Sequence, residues 1–383
     1  MKFLMDLVVL LLLAKVIGYM LKVKGLHPIV GHVIAGLVLG PYVLKVVYPS
    51  IELETIASVS LLLLLFYTGL TTNFRELRRR GKVIVTMGLS GVVATFAMTY
   101  MLLYIIGVKG LPAVFIAVAL SNTATETVAA AVAYAGGRDI RTLIIGASFV
   151  DDVVAAFVIS VVASLAIGET DIVHVSIATV VFMLAVFILS RLLATKFTIV
   201  YRAMSRDYFT FASFSLMIAF SFALIAYMLG LSVLIGAYLA GLLIGRGREF
   251  HDPLIKTKVV LSEFIEDLSS FLEVLFIPMF FAYIGLLISV NQVSILLFTI
   301  ALIAAILGKI IGCTPIAMSS LKDKRKGFAA GVAMTGRGAL ETALLKLGLD
   351  SGIINISQYS TIILVALATA VLAPLLYSVV YRE

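Results

Sequence analysis

Cysteine occurs once, as Cys313 inside an apolar run, which excludes a disulfide framework and a cysteine metal site. The four histidines (His27, His32, His174 and His251) are scattered without ligand spacing. Charge is scarce as well. Asp, Glu, Lys and Arg make up 13% of the 383 residues, against about a quarter in a soluble domain. Hydrophobic residues reach 62% and the mean hydropathy is +1.16, which leaves nothing from which to build a soluble domain of any size. The first apolar segment, 3–21, is longer than a signal-peptide core and lacks a small-x-small cleavage site, so it is expected to be a span.

What remains is an all-α polytopic membrane protein. Apolar runs of ~20 residues, separated by charged or Gly/Pro breaks, predict thirteen spans. They lie near 3–21, 28–47, 53–72, 83–107, 111–135, 142–167, 171–190, 208–229, 231–245, 261–288, 293–318, 328–348 and 356–380. The tenth opens with an amphipathic stretch, Glu263 to Glu273, that could lie at the interface. Alternate loops, counted from the one after the first span, carry 22 of the 29 Lys and Arg residues. Four (Lys2, Lys45, Lys109 and Lys346) fall on the opposite side, and three (Lys15, Lys309 and Arg337) fall within spans. The positive-inside rule then puts the N-terminus outside the cell membrane and the C-terminus in the cytoplasm. The net charge of +8 is a bias of one membrane face rather than a nucleic-acid surface, and the bilayer is the expected partner.

The chain repeats itself. Gly31-x3-Ala35-Gly36-Leu37-x2-Gly40 returns as Gly236-x3-Ala240-Gly241-Leu242-x2-Gly245. Tyr67-Thr68-Gly69-Leu70 returns as Tyr283-Ile284-Gly285-Leu286, and Ala124-Thr125-Glu126-Thr127 as Ala339-Leu340-Glu341-Thr342. Each pair is an odd number of spans apart, so the copies run in opposite directions. That is the inverted-topology repeat of secondary transporters, whose ion sites lie near the midplane, where helices are broken. The paired glycines, Gly36/Gly40 and Gly241/Gly245, are small-x3-small packing faces, for scaffold or dimer contacts rather than ion ligands.

The polar residues at membrane depth form two groups. Asp151 and Asp152 stand side by side in an apolar run from about Leu143 to Ile167. A charge at that depth costs at least ~2.5–3.5 kcal/mol. Two adjacent carboxylates therefore need a proton, a cation or a water-filled cavity. Ser148 lies one turn before Asp152 on the same face and could add an oxygen to a bound cation. Lys309, mid-span, needs a carboxylate, and either aspartate would serve.

The second group is the pair of polar interruptions in spans five and twelve. One runs Ser121-Asn122-Thr123-Ala124-Thr125-Glu126, the other Thr335-Gly336-Arg337-Gly338-Ala339-Leu340-Glu341. As repeat mates, two such breaks would cross at the midplane and offer carbonyls, helix ends and the Asn122, Thr123 and Thr125 side chains to an ion. Arg337 is expected to pair with Glu341, one turn away, and with Glu126 across the crossing. That set forms a structural ion network.

With these residues in view the chain resembles the monovalent cation/proton antiporters of the Kef/NapA branch, which have the NhaA-like fold. The resemblance is carried by Pro28-Ile29-Val30-Gly31-His32-x2-Ala35-Gly36-x3-Gly40-Pro41, Gly236-Ala237-Tyr238-Leu239-Ala240-Gly241, Phe280-Phe281-x3-Gly285-Leu286, the Asp-Asp pair and Lys-x2-Gly at 309–312. It covers essentially the whole chain, as one transporter unit over residues 1–383. It implies a homodimer, with a dimerisation scaffold from spans within 1–72 and 207–288. A moving core would come from spans within 83–167 and 293–381, and 171–206 would form a linking helix and loop.

It further implies that Asp152 alternately binds a proton or Na+, as the metal-binding position together with Asp151, and that Asp151 pairs with Lys309. Two carboxylates go with electrogenic exchange in that family. The expected activity is Na+ (or Li+)/H+ exchange by alternating access, without an enzymatic step and without a cofactor beyond the transported ions. A K+/H+ exchanger or K+ efflux system of the same fold is the alternative, and a sodium-coupled solute symporter is a weaker one. An intramembrane aspartyl protease would need its two aspartates on separate helices and a Gly-x-Gly-Asp motif, which this sequence lacks.

Overall fold

A computed structural model of the chain describes residues 2–24, 28–71, 74–124, 138–166, 207–229, 233–245 and 255–382, with single positions at 177 and 180–181. Among these residues regular structure is entirely helical. The first five helices are α1 (Lys2–Val23), α2 (Pro28–Leu39), α3 (Ile51–Thr71), α4 (Phe74–Ile105) and α5 (Leu111–Ser121). They are followed by α6 (Arg138–Ala166), α7 (Tyr208–Met228), α8 (Val233–Gly245) and α9 (Ile255–Phe271). A π-helical turn, Leu272–Phe276, runs on into α10 (Ile277–Leu286). The last four are α11 (Ile295–Leu321), α12 (Lys324–Ala333), α13 (Ala339–Asp350) and α14 (Ile356–Arg382).

Seven described helical stretches are long and apolar enough to cross a membrane: α1, α3, α4 from Gly81, α7, the α9–α10 run from Val259, α11 and α14. Three shorter apolar helices, α2, α5 and α8, fall where the sequence predicts spans two, five and nine. Span seven lies outside the described residues apart from its isolated positions. The stretch Glu263–Glu273 is part of one helical run that continues through the π-helical turn into α10. Its apolar side (Leu261, Phe264, Ile265, Leu268 and Leu272) is buried.

The contacts form two units. The first holds Met1–Glu54, Glu76–Ala155 and Pro278–Glu383. One of its cores is made by Ile84 and Met87 of α4, Leu143, Ile144 and Ala147 of α6, Cys313 and Ala317 of α11, Ala330 and Ala333 of α12, and Tyr377 of α14. The second unit holds Thr55–Arg75 and Ala156–Ile277. Its core joins Phe66 and Leu70 of α3, Phe211 and Ala219 of α7, Ala237 and Ala240 of α8, and Phe264 and Leu268 of α9.

Within each unit, glycine lets two helices cross with backbones touching. In the first, a Cβ on Gly36 of α2 would stand 1.8 Å from the Ala282 carbonyl oxygen of α10, and one on Gly285 would stand 2.2 Å from that of Val33. In the second, a Cβ on Gly241 of α8 would stand 2.1 Å from the Phe66 carbonyl oxygen of α3, and one on Gly69 would stand 2.2 Å from that of Tyr238. No side chain larger than hydrogen fits at such a distance. The two crossings therefore use matching positions of the sequence repeat.

Candidate functional site

The first unit brings α6, α11 and the ends of α5, α12 and α13 together, and glycine again sets the approach. A Cβ on Gly88 of α4 would lie 2.9 Å from the Ala147 carbonyl oxygen of α6. One on Gly312 of α11 would lie 2.5 Å from that of Ser90 on α4. The Ser90 hydroxyl reinforces this second contact by donating to the Gly312 carbonyl at 2.8 Å. Helix α4 thus clasps both the helix carrying the aspartates and the helix carrying Lys309.

Lys309 and Asp151 meet in that clasp. The Lys309 Nζ donates to Asp151 Oδ2, and both side chains are fully buried. Asp152 is buried beside Asp151 on α6, as is Ser148 one turn earlier, whose hydroxyl donates to the Ile145 carbonyl at 3.0 Å. An ion pair this deep persists only when geometry is good, because desolvating two charges costs several kcal/mol per ion.

The polar interruptions lie against the same helices. Helix α5 stops at Ser121; Asn122 is extended, at φ −75° and ψ 163°, and 123–124 are non-helical. Thr123 Oγ1 donates to the Met334 carbonyl at 2.8 Å, and the Ala124 N–H donates to the Gly336 carbonyl at 3.1 Å. The Thr123 hydroxyl also lies beside the Asp151 carboxylate. Both polar atoms of the buried Asn122 side chain have no hydrogen-bond partner among the described residues.

On the opposing strand of the interruption, α12 ends at Ala333, 336–338 are non-helical, and α13 starts at Ala339. Arg337, fully buried, bonds backbone carbonyls. Its Nη2 donates to Leu120 at 2.6 Å and Ala305 at 3.1 Å, and its Nη1 donates to Thr335 at 2.9 Å. Helix ends leave carbonyls without intrahelical partners, and a planar fork of donors suits several at once. Ala305 is one turn before Lys309 on α11, so Arg337 joins the interruption to the helix that carries the lysine. Glu341 Oε2 accepts the Gly338 N–H at 2.8 Å and so caps α13. It also acts electrostatically on Arg337.

The structure therefore brings Asp151, Lys309 and Thr123 together and ties Arg337 to the same helices. Thr125 and Glu126 lie outside the described residues. Sequence reasoning missed the carbonyls of Leu120 and Ala305, because main-chain acceptors carry no residue signature. It also missed the clasp by α4, although the glycine spacing in Gly88-x2-Gly91 and Gly308-x3-Gly312 was a usable signal.

Fold and site define a multi-pass helical membrane protein with a buried ion pair beside helix ends. The chain belongs to the sodium/hydrogen exchanger transmembrane family, whose model it matches over residues 8–381. It is 26% identical over 381 residues to the Na+/H+-K+ antiporter GerN of Bacillus cereus, a match covering 97% of this chain and 95% of that protein. It is also 26% identical over 340 residues to the high-affinity Na+/H+ antiporter NhaS3 of Synechocystis, covering 84% of this chain and 70% of the relative. Among solved structures it is similar in fold to the sodium proton antiporter MjNhaP1 of Methanocaldococcus jannaschii. That match has a TM-score of 0.71 at 15% identity and covers 99% of this chain and 97% of the other.

Proposed function

We propose that this chain exchanges Na+ (or Li+) for protons across the cell membrane by alternating access, with Asp152 as the position that protons and the cation share. The observation that carries this is the buried Lys309–Asp151 pair directly beside a second buried aspartate. Lys309 compensates the Asp151 charge, and Asp152 is buried next to that pair on the same helix. Moving Asp152 across the bilayer as a bare carboxylate would cost at least ~2.5–3.5 kcal/mol, so it crosses neutralised either by a proton or by Na+, and the two fluxes are coupled. Ser148, Asn122, Thr123 and Thr125 would add oxygens around the ion. A proton carried by the Asp151–Lys309 pair would make the exchange electrogenic, with more protons moved than cations.

The same reading includes thirteen spans arranged as an inverted repeat. Support comes from the matching crossings of α2 on α10 and α8 on α3 at repeat-mate glycines. The two broken helices would be α5 with the residues after it, and α12 with α13, crossing at the midplane. The hydrogen bonds from Thr123 to Met334 and from Ala124 to Gly336 favour such a crossing. A homodimer is proposed with its scaffold drawn from 1–72 and 207–288 and its moving core from 83–167 and 293–381. The N-terminus would lie outside and the C-terminus in the cytoplasm. Glu126, Arg337 and Glu341 would hold the crossing together.

The test is Na+-driven dissipation of a proton gradient in proteoliposomes. Asp152→Asn should abolish it, and an Asp152→Asn protein exchanging at the normal rate would sink the proposal. GerN bears K+ in its name, so K+ transport is the second reading, and equal competition by K+ and Na+ in the same assay would favour it.

A further inference from the structure

On α13, at the end away from the interruption, Lys346 is 7% exposed although both its carboxylate partners are half open to solvent. Its Nζ donates to Glu54 Oε1 at 2.8 Å and to Asp350 Oδ2, and lies 5.6 Å from the centre of the Tyr283 ring. The two carboxylates differ in where they are anchored. Asp350 is one turn along the same helix and goes wherever Lys346 goes. Glu54 is in the first turn of α3, and Tyr283 is on α10.

Exposure is divided in a way that suits a bond made to be broken. The Glu54 side chain keeps 44% of its surface and can be rehydrated when it separates, whereas that of Lys346 keeps 9% and needs a counter-charge throughout. A buried lysine with Glu54 alone would be stranded once Glu54 withdrew. With Asp350 on its own helix it stays paired.

We propose that Lys346 is a positioning residue for exchange, a releasable latch tying α13 to α3 and α10 on the face that the topology above makes the outer one. It rests on the alternating-access function proposed above, in which α13 moves with the core while α3 and α10 stay with the scaffold. With the latch closed, the Lys346–Glu54 bond and the Tyr283 ring hold that face shut. Opening it hydrates Glu54 and leaves Lys346 on Asp350. The two carboxylates therefore bias the equilibrium in opposite directions: Glu54 favours the closed face, and Asp350 lowers the cost of opening it.

The test uses oriented proteoliposomes of the full chain, with half-saturating Na+ measured from each face. Glu54→Gln should lower the value on the Glu54-bearing face relative to the other by about fivefold, the size expected for one partly exposed ion pair. Asp350→Asn should raise it. A second readout needs no transport. In a Cys313→Ser background, Thr342→Cys, buried one turn before Lys346, is labelled by an impermeant thiol reagent added on that face. Labelling should be faster with Glu54→Gln and slower with Asp350→Asn.

A purely structural role would lower thermal stability in both variants and move neither the ratio nor the labelling. That result, or shifts in the same direction, overturns the latch. Absence of Na+/H+ exchange in the unmodified protein would instead overturn the proposed function, and the labelling alone would then decide the latch.

Discussion

Lys309 on α11 and Asp151 on α6 are ion-paired with neither side chain reaching solvent, although 158 residues separate them in the chain. Each is expensive to bury alone, and each is the other's main compensation. Asp151→Asn leaves the ammonium buried opposite a neutral amide, and breaking a buried pair from one side typically costs ~3–5 kcal/mol. Purified Asp151→Asn protein should therefore melt well below the unmodified chain in detergent. Asp151→Asn combined with Lys309→Gln should recover most of that loss, because no uncompensated charge remains. If the pair carries the extra proton, the double variant should also lose its current on a solid-supported membrane while Na+ still dissipates a proton gradient.

Arg337 makes a different demand. Its guanidinium reaches carbonyls on α5, on α11 and in its own interruption, with bonds of 2.6, 3.1 and 2.9 Å. An ammonium carries the same charge but not the planar fork, so Arg337→Lys should not reproduce them. Each buried carbonyl left without a donor costs ~1–3 kcal/mol. Melting of Arg337→Lys should fall by far more than that of Lys326→Gln, which removes a basic residue from an exposed pair. Equal melting of the two would show that the carbonyl bonds contribute nothing.

Much of this was legible in the sequence, for physical reasons that also mark where legibility ended. Apolar runs and the loop charges report on the bilayer and need no tertiary contact, so the membrane class and the Asp151, Asp152 and Lys309 candidates were visible at once. The polar stretches after Ser121 and after Met334 stood out for the same reason. Arg337 was expected to pair with Glu341 and Glu126, because side-chain charges are what a sequence displays; Glu341 does act on it electrostatically, and Glu126 lies outside the described residues. The carbonyls of Leu120 and Ala305 become acceptors only once helices end beside them. Lys346 was assigned to a membrane face by its place at the end of the twelfth span. Its ion pair is with Glu54, 292 residues away, and no periodicity encodes that contact.

The clasp between α4 and α11 can be tested by adding one methyl group. Gly312→Ala puts a Cβ 2.5 Å from the Ser90 carbonyl oxygen and 2.8 Å from the Gly91 Cα, both backbone atoms that cannot swing aside. Overpacking of this kind costs ~1–3 kcal/mol, and here it would push Lys309, three residues earlier, away from Asp151. Gly312→Ala should lower the melting temperature and weaken Na+ dependence together. Gly81→Ala on α4, where the new Cβ meets nothing within 4 Å among the described residues, is the control. It should be neutral or slightly stabilising, since alanine suits a helix better than glycine by ~0.5–1 kcal/mol. A shared loss in both variants would point to a general intolerance of α4 and α11, not to the clasp.

At the start of α12, outside the apolar spans, Asp323 accepts backbone N–H bonds from Arg325 at 3.0 Å and Lys326 at 3.1 Å. The Lys326 N–H foremost, with the Lys326 side chain and the Arg325 N–H assisting, holds its carboxyl below the usual carboxylate range. A carboxyl whose folded value is depressed contributes stability that is present above its unfolded value, ~3.9, and is lost as pH falls through the lower folded value. Asp323→Ala should therefore melt lower than the unmodified protein at neutral pH, and the gap should close in acid as the native carboxyl is protonated. Asp323→Asn keeps a side-chain oxygen for the same amides and has nothing to titrate. Its own melting should lack this acid-dependent loss. Melting curves of the three proteins between about pH 3 and pH 7 decide the matter. A gap between Asp323→Ala and the unmodified chain that stayed constant over that range would show that the carboxylate charge plays no part in the cap.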